Sequence, residues 1–181
     1  MKPVGNMSVE ELAAFVCTHL EGLGINVVLS GGACVTIYSD NRYQSFDIDF
    51  IDNGATPRKR LKQALEKIGF KEHQRYFKHA DTEYFLEFPT GPLAVGNEPV
   101  GRIVTRKTAG SRLRLLSPTD CVKDRLAAYY HWKDRQSLDQ AVLVASKHQV
   151  DLKDVQRWSR QEGMIKEYHK IAPLLRTRKR A

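Results

Sequence analysis

The stretch VVLSGGACVTIYSDNRYQSFDIDFI, residues 27–51, decides how this chain is read. An apolar run ends at Ser30-Gly31-Gly32, and Asp47-Ile48-Asp49 follows between Phe46 and Phe50. Side chains alternate along a strand, so Asp47 and Asp49 share one face, while Phe46, Ile48 and Phe50 take the other and enter the core. The two Cα atoms are then roughly 6.5–7 Å apart. Both carboxylates reach one hard cation at that spacing, or one each of two. Unpaired, they repel and resist burial. A magnesium ion, or manganese in its place, resolves both problems, because such an ion takes oxygen ligands and often shares them with substrate phosphates. Two solvated acids on an exposed strand face also fit the bare pattern, although Asp is a poor strand former.

The double glycine changes the weighing. Glycine lets backbone approach a ligand closely, and a helix N-terminus presents free N–H groups to phosphate. Ser30 adds a hydroxyl. A tight strand-to-helix turn would also use Gly-Gly, but strand, Gly-Gly, helix and an Asp-x-Asp strand in that order form a more specific pattern. It sets a phosphate cradle beside a metal site, as nucleotide transfer requires. A third acid is expected from TEYFLEFP, residues 82–89. There Glu87 shares a face with Glu83 and Phe85, and Tyr84, Leu86 and Phe88 form the other. Glu87 suits a metal ligand or a general base; a structural glutamate paired with an arginine is the alternative.

Outward from this stretch, the chain reads as helix (from Ser8, capped with Glu11), strand, Gly-Gly helix to about Tyr38, strand, then a basic amphipathic helix from Pro57 to Ile68. Segments of strand character follow: FKEHQRYFKH, TEYFLEF, a short one near LAVG, VGRIVTRKT and RLRLL. GNEPVGR reads as a loop. From the strong cap Ser117-Pro118-Thr119-Asp120 onward the pattern is helical, with further helices near 137–147, 151–161 and 163–172. The expected fold is α/β of the α+β kind: a mixed sheet in residues 1–116 with helices packed on it, and a helical C-terminal part, 117–181, packed on that core.

With 181 residues, 41% hydrophobic and 28% charged, the chain suits a folded protein rather than a disordered one. No apolar run approaches the roughly 20 residues of a membrane helix, and the start lacks a signal peptide's apolar segment. Three cysteines, Cys17, Cys34 and Cys121, lie far apart without a CxxC pair, which suits a reducing cytoplasm and gives no zinc signature. The six histidines are scattered, and His73 and His79 read as ordinary strand or loop residues. The net charge is +8, and residues 151–181 carry nine Lys/Arg against four Asp/Glu. This basic end, LLRTRKRA with Arg176, Arg178, Lys179 and Arg180, favours a polyanion such as RNA; a solvated tail is the plainer reading. Lys123 lies just past the Ser117 cap, opposite Val122 and Leu126, where its point charge suits a phosphate or simply solvent. Tyr129, Tyr130 and Trp132 read as packing residues rather than base-stacking platforms.

The stretch LSGGACVTIYSDNRYQSFDIDFI resembles the signature of nucleotidyltransferases of the DNA polymerase beta superfamily: an apolar residue, Gly, Gly or Ser, and later Asp-x-Asp. The run with Arg42, Ser45, Asp47 and Asp49 is most similar to the AbiEii-type toxin branch. A weaker likeness is DCVKDRLAAYYHWKDRQSLDQAVLVA, where Lys123 matches a phosphate-contacting lysine, and Arg135 and Asp139 match the outer residues of an Arg-Asp-x-x-Asp run. Gln136 stands where that run has its first Asp, and Ala33-Cys34-Val35 departs from the usual residues after the glycines. The resemblance implies a nucleotidyltransferase fold, magnesium, and transfer of a nucleoside monophosphate from a nucleoside triphosphate to an acceptor. It further implies an RNA acceptor such as a tRNA end, and a cognate antitoxin. A small-molecule acceptor, as in antibiotic-modifying relatives, and a non-catalytic nucleotide- or nucleic-acid-binding protein of the same fold are the alternatives.

Overall fold

Ser8 starts the first helix, α1 (Val9–Gly22): its hydroxyl accepts from the Glu11 N–H while the Glu11 carboxylate accepts from the Ser8 N–H. This capping box closes two of the helix's otherwise unpaired donors. The structure is a computed structural model that describes residues 2–52, 54, 56–108 and 110–176. After α1 come β1 (Val27–Ser30), α2 (Gly31–Tyr38), β2 (Asp47–Asp52) and α3 (Arg58–Glu66). The strands β3 (Lys71–His73), β4 (Tyr76–Lys78), β5 (Phe85–Glu87), β6 (Ala94–Val95), β7 (Glu98–Pro99), β8 (Ile103–Thr108) and β9 (Ser111–Leu116) follow. Four helices close the chain: α4 (Pro118–Trp132), α5 (Arg135–Lys147), α6 (Leu152–Gln161) and α7 (Ile165–Leu175).

Seven strands form one mixed sheet in the order β3-β4-β5-β2-β1-β9-β8, and β6 and β7 pair separately. The β1–β2 pair is antiparallel, whereas β2–β5 and β1–β9 are parallel. Every residue of β1 is buried, as an apolar strand covered on both faces must be. α1 lies along β9 and β1, and α2 packs against β2, α4 and α5. A single core joins sheet residues such as Leu29, Phe50 and Leu115 to Val122, Leu126 and Trp158 of the later helices. The Ser117 cap forms as its sequence dictates, the hydroxyl accepting from the Asp120 N–H at 3.1 Å. No helix among the described residues is long and apolar enough to cross a membrane.

The differences from the sequence reading are local. Gly31 and Gly32 are the first residues of α2 rather than a turn before it. FKEHQRYFKH folds as a hairpin, β3–β4, with Gln74 at φ 57° in its turn. Part of GNEPVGR is strand, since Val95 and Glu98 pair in the β6–β7 hairpin. Phe46 does not join the core: it lies just before β2, 47% exposed, with its ring 5.9 Å from that of Tyr84. Trp132 is 78% exposed at the end of α4, where no element covers it, while Tyr130 is buried against Trp158 as a packing residue should be.

Candidate active site

Strand register assembles the acids. Ser30, the last residue of β1, pairs with Asp49 across the antiparallel ladder. On its other side β2 pairs with β5, so that Asp47 stands beside Phe85 and Asp49 beside Glu87. Neighbouring strands lie about 4.8 Å apart, so Glu87 and Asp49 are immediate neighbours on one face. Ile48 and Leu86 point to the opposite face and are fully buried. Asp47 is exposed; Asp49 and Glu87 are half-buried.

The glycines are required by what packs on them. Gly31 has φ +65°, and a Cβ there would stand 2.1 Å from Asp49 Oδ2. A Cβ on Gly32 would meet Ser45 Oγ at 2.8 Å and Tyr43 Cε1 at 3.5 Å. Any larger residue at either position would displace the Asp49 carboxylate or the loop before β2. Ser45 fixes that loop: its N–H donates to Thr36 Oγ1 at 3.0 Å and its hydroxyl to the Asp47 carbonyl at 3.1 Å. The Ser30 hydroxyl donates to the Asp49 carbonyl at 3.4 Å. Both hydroxyls therefore hold the backbone of the Asp-x-Asp strand. Arg42 is exposed, with its N–H on the Ser39 carbonyl at 3.3 Å.

Three carboxylates this close leave an electrostatic mark. Burial, and after it the negative charges of Glu87 and Asp47, push the Asp49 carboxyl up to about 6. Among the described residues Glu87 forms an ion pair with Arg75 at 3.6 Å, whose side chain is 76% exposed. So exposed an ion pair is worth little and leaves the crowding in place. An all-oxygen, excess-negative donor set fits a hard divalent cation in chemistry and charge. Among the described residues no three His, Cys, Asp or Glu side chains are arranged so that they could hold a metal ion together.

The helices above the sheet sort the cationic candidates. α2 and α4 run antiparallel. At one end the Tyr38 hydroxyl donates to the Leu116 carbonyl at 2.7 Å. One turn on, the thiol of Cys34 meets that of Cys121. Arg125, one turn beyond Cys121, donates to Asp124 Oδ2 at 3.0 and 2.5 Å and to the Gln140 oxygen at 3.4 Å, and its charge opposes the rise that burial gives the pKa values of Asp49 and the Tyr43 hydroxyl. Lys123 is rotated about 200° from Cys121 at about 100° per residue, and so faces away from α2. It is 2% exposed, its ammonium 2.6 Å from Asp154, 3.0 Å from Glu98 and 3.7 Å from Asp120. Burial alone would depress its pKa, but hydrogen bonds to Asp154 and Glu98 outweigh this and raise it. Lys123 is thus not a solvated lysine: its charge is taken up by Glu98, Asp120 and Asp154. It ties α4 to α6 and to the β6–β7 hairpin.

α5 departs from expectation in the same way. Its buried side is Ser137, Leu138, Gln140 and Ala141, which leaves Arg135 and Asp139 exposed. The N-cap Asp134, partly buried, accepts from the Gln136 N–H at 3.0 Å and from the Ser137 hydroxyl at 2.5 Å. The structure therefore brings together Ser30, Gly31, Gly32, Ser45, Asp47, Asp49 and Glu87, and adds Tyr43, whose ring lies against Gly32. It does not bring in Lys123 or Asp139.

No family model and no curated protein matches the chain. Its fold is that of nucleotidyltransferase-like proteins. An antigenic nucleotidyltransferase-like protein from Paracoccidioides brasiliensis superposes with a TM-score of 0.62 at 14% identity, over 96% of this chain and 94% of that one. The antibiotic-resistance factor ANT(2'')-Ia in solution matches with a TM-score of 0.52 at 16% identity, over 91% and 98% of the two chains. The crystal structure of ANT(2'')-Ia in complex with adenylyl-2''-tobramycin gives 0.52 at 13% identity, over 86% and 93%. Identities this low establish a shared fold alone.

Proposed function

We propose that the chain is a metal-dependent nucleotidyltransferase that moves a nucleoside monophosphate from a nucleoside triphosphate to an acceptor hydroxyl. The observation that carries this reading is the seating of Asp49 on Gly31, with Asp47 and Glu87 beside it, on a fold shared with nucleotidyltransferase-like proteins. Asp47, Asp49 and Glu87 would hold magnesium or manganese, which when bound supplies charge neutralisation for the phosphates and the developing alkoxide. The residues of the chain position the reactants: Gly31 and Gly32 leave room for Asp49 and Ser45 to seat against the start of α2, whose N-terminus favours the negative charge of the triphosphate. The acceptor oxygen bonds to the α-phosphorus, the bond to the β-phosphate oxygen breaks, and pyrophosphate leaves. The acceptor's proton passes to Glu87, whose carboxylate lines the same face.

RNA is the favoured acceptor, in keeping with the toxin-like signature and with a cognate antitoxin as partner. The net charge of +8 attracts a polyanion and repels a polycation. The likeness to ANT(2'')-Ia supports a second reading, in which the acceptor is a small hydroxylated antibiotic. One experiment separates them. The protein is incubated with each α-labelled triphosphate and magnesium, in parallel with total RNA and with a set of aminoglycosides. Label on RNA that disappears in Asp49→Ala supports the first reading, and label on an aminoglycoside the second. Triphosphate binding without transfer to either acceptor would mean a non-catalytic binding protein.

A further inference from the structure

We propose that Trp132 is a stacking platform for a base of the single-stranded RNA acceptor, with Lys133 and Arg135 beside it for the flanking phosphates. The inference rests on the RNA-acceptor reading above and says where that RNA lies. Two hydrogen bonds place the turn between α4 and α5. The Tyr38 hydroxyl, at the end of α2, donates to the Leu116 carbonyl just before α4 at 2.7 Å. Nε2 of His148, just past α5, bonds the Tyr38 carbonyl at 2.8 Å. The start of α4 and the end of α5 therefore meet at the Tyr38 end of α2, and α2 packs along both helices. The turn that joins them, residues 132–134, lies toward the other end, that of Gly31. At 1.5 Å per residue, α2 covers about 10 Å from Tyr38 to Gly31, and α4 and α5 cover about 20 Å from that end to the turn. The turn thus reaches about 10 Å beyond Gly31 along the helix direction, which sets Trp132 at the rim of the candidate active site.

The indole is open and its support is fixed. Its ring contact is edge-on to His131, with centroids 6.3 Å apart at 68°, so its faces stay clear. Phe46, the other exposed aromatic among the described residues, already lies against Tyr84. Lys133 closes α4 in the left-handed conformation at φ 56°, and Asp134 caps α5, so the turn is held from both sides. Lys133 and Arg135 are exposed on it. The acids nearby are engaged or set back: Asp134 is used as the cap, Glu167 is paired with Lys170 at 2.9 Å, and Asp139 lies a turn farther along α5. A single strand of RNA offers open base faces and phosphates together, which matches an open indole between two cations. A polycationic acceptor gains nothing from Lys133 and Arg135. A protein partner is the competing occupant, but it would seat an aromatic anchor within an apolar patch, and the neighbours here, His131, Lys133, Asp134 and Arg135, are all polar.

The test measures binding rather than turnover. The chain has two tryptophans, and Trp158 is fully buried, so quenching of the intrinsic fluorescence by a ligand reads Trp132. A single-stranded decamer of adenylate is titrated into the wild type, Trp132→Ala, Trp132→Phe and the double variant Lys133→Gln/Arg135→Gln, with ATP affinity measured in parallel by calorimetry. The expected result is quenching in the wild type, a loss of about 5- to 100-fold in RNA affinity for W132A and near-normal affinity for W132F. The double variant should flatten the log–log salt slope by about 1.4, and ATP affinity should stay unchanged in every variant. RNA affinity within twofold of wild type in W132A, or RNA binding by the wild type without quenching, overturns the role of Trp132 and favours a protein contact at this turn. An equal loss of ATP affinity in W132A overturns it too, because the residue would then act through the fold. In these three cases the RNA-acceptor reading stands. A wild type that binds no RNA at low salt overturns that reading and this inference together.

Discussion

Asp49→Asn removes one charge from a crowded set of carboxylates, and its effect on stability follows from the structure. Asp49 moves from an ordinary value of 3.8 to about 6 in the folded protein, chiefly by burial and then by repulsion from Glu87 and Asp47. At about 1.36 kcal/mol per pKa unit, ionised Asp49 costs the folded state up to about 3 kcal/mol. Asparagine keeps the shape but offers different hydrogen bonds, so a net gain of about 1–3 kcal/mol is expected for the metal-free variant at pH 8. Because the folded pKa lies above the unfolded one, the folded protein binds more protons between pH 3.8 and about 6, and wild-type stability falls as pH rises through that window. The advantage of D49N is therefore full above about pH 7, shrinks below about 6 and is gone below 3.8. Urea unfolding of both proteins in a chelator, from pH 3.5 to 8, measures it. Repeating the series with magnesium should reverse the ranking, since an ion at 100 times its Kd adds about 2.7 kcal/mol to a protein that binds it only when folded. A D49N variant no more stable than wild type at pH 8 without metal would refute the reasoning.

Gly31→Ala should lower stability by more than about 2 kcal/mol or displace Asp49 and abolish transfer, because a left-handed φ and a clash with Oδ2 act together; chemical denaturation and the labelling assay read the two outcomes. Glu98 is held down at about 2 by Arg157 and Lys123, so the stabilisation it brings is present above about 4.5 and lost as pH falls toward 2. After discounting for its partial exposure, Glu98→Gln should cost about 1–2 kcal/mol at pH 7 and almost nothing at pH 2, in urea unfolding at both pH values. If the basic end recruits RNA, deleting residues 176–181 should flatten the salt dependence of RNA affinity by a log–log slope of roughly 3, at about 0.7 per phosphate lost from a single strand, while triphosphate affinity is unchanged. Of that segment only Arg176 falls among the described residues.

Local chemistry made much of this protein legible before folding. The Ser8–Glu11 box and the Ser117 cap mark helix starts because their partners lie three residues away. The two-residue spacing of Asp47 and Asp49 places both on one face of any strand they form. Even Glu87 could be nominated, since TEYFLEFP alternates and offers few acids. What spacing could not supply was the facing of a helix covered on more than one side. Lys123 and Arg125 are both compatible with the periodicity of α4. Lys123 is buried because Glu98 and Asp154 arrive from distant parts of the chain, and Arg125 is enclosed because Gln140 of α5 meets it.

By itself, then, the sequence determined most of the helices and strands, the Ser8 and Ser117 caps, and a Gly-Gly and Asp-x-Asp pattern within one short segment. These depend on backbone geometry over a few residues. Only the tertiary structure decided that β5 pairs in parallel with β2 and brings Glu87 beside Asp49, that Asp49 rests on Gly31, and that Lys123 is buried among Glu98, Asp120 and Asp154. The reason is physical: strand order and helix facing are set by how apolar faces from the whole chain close over one another, and a charged side chain's role follows from which partners that closure delivers.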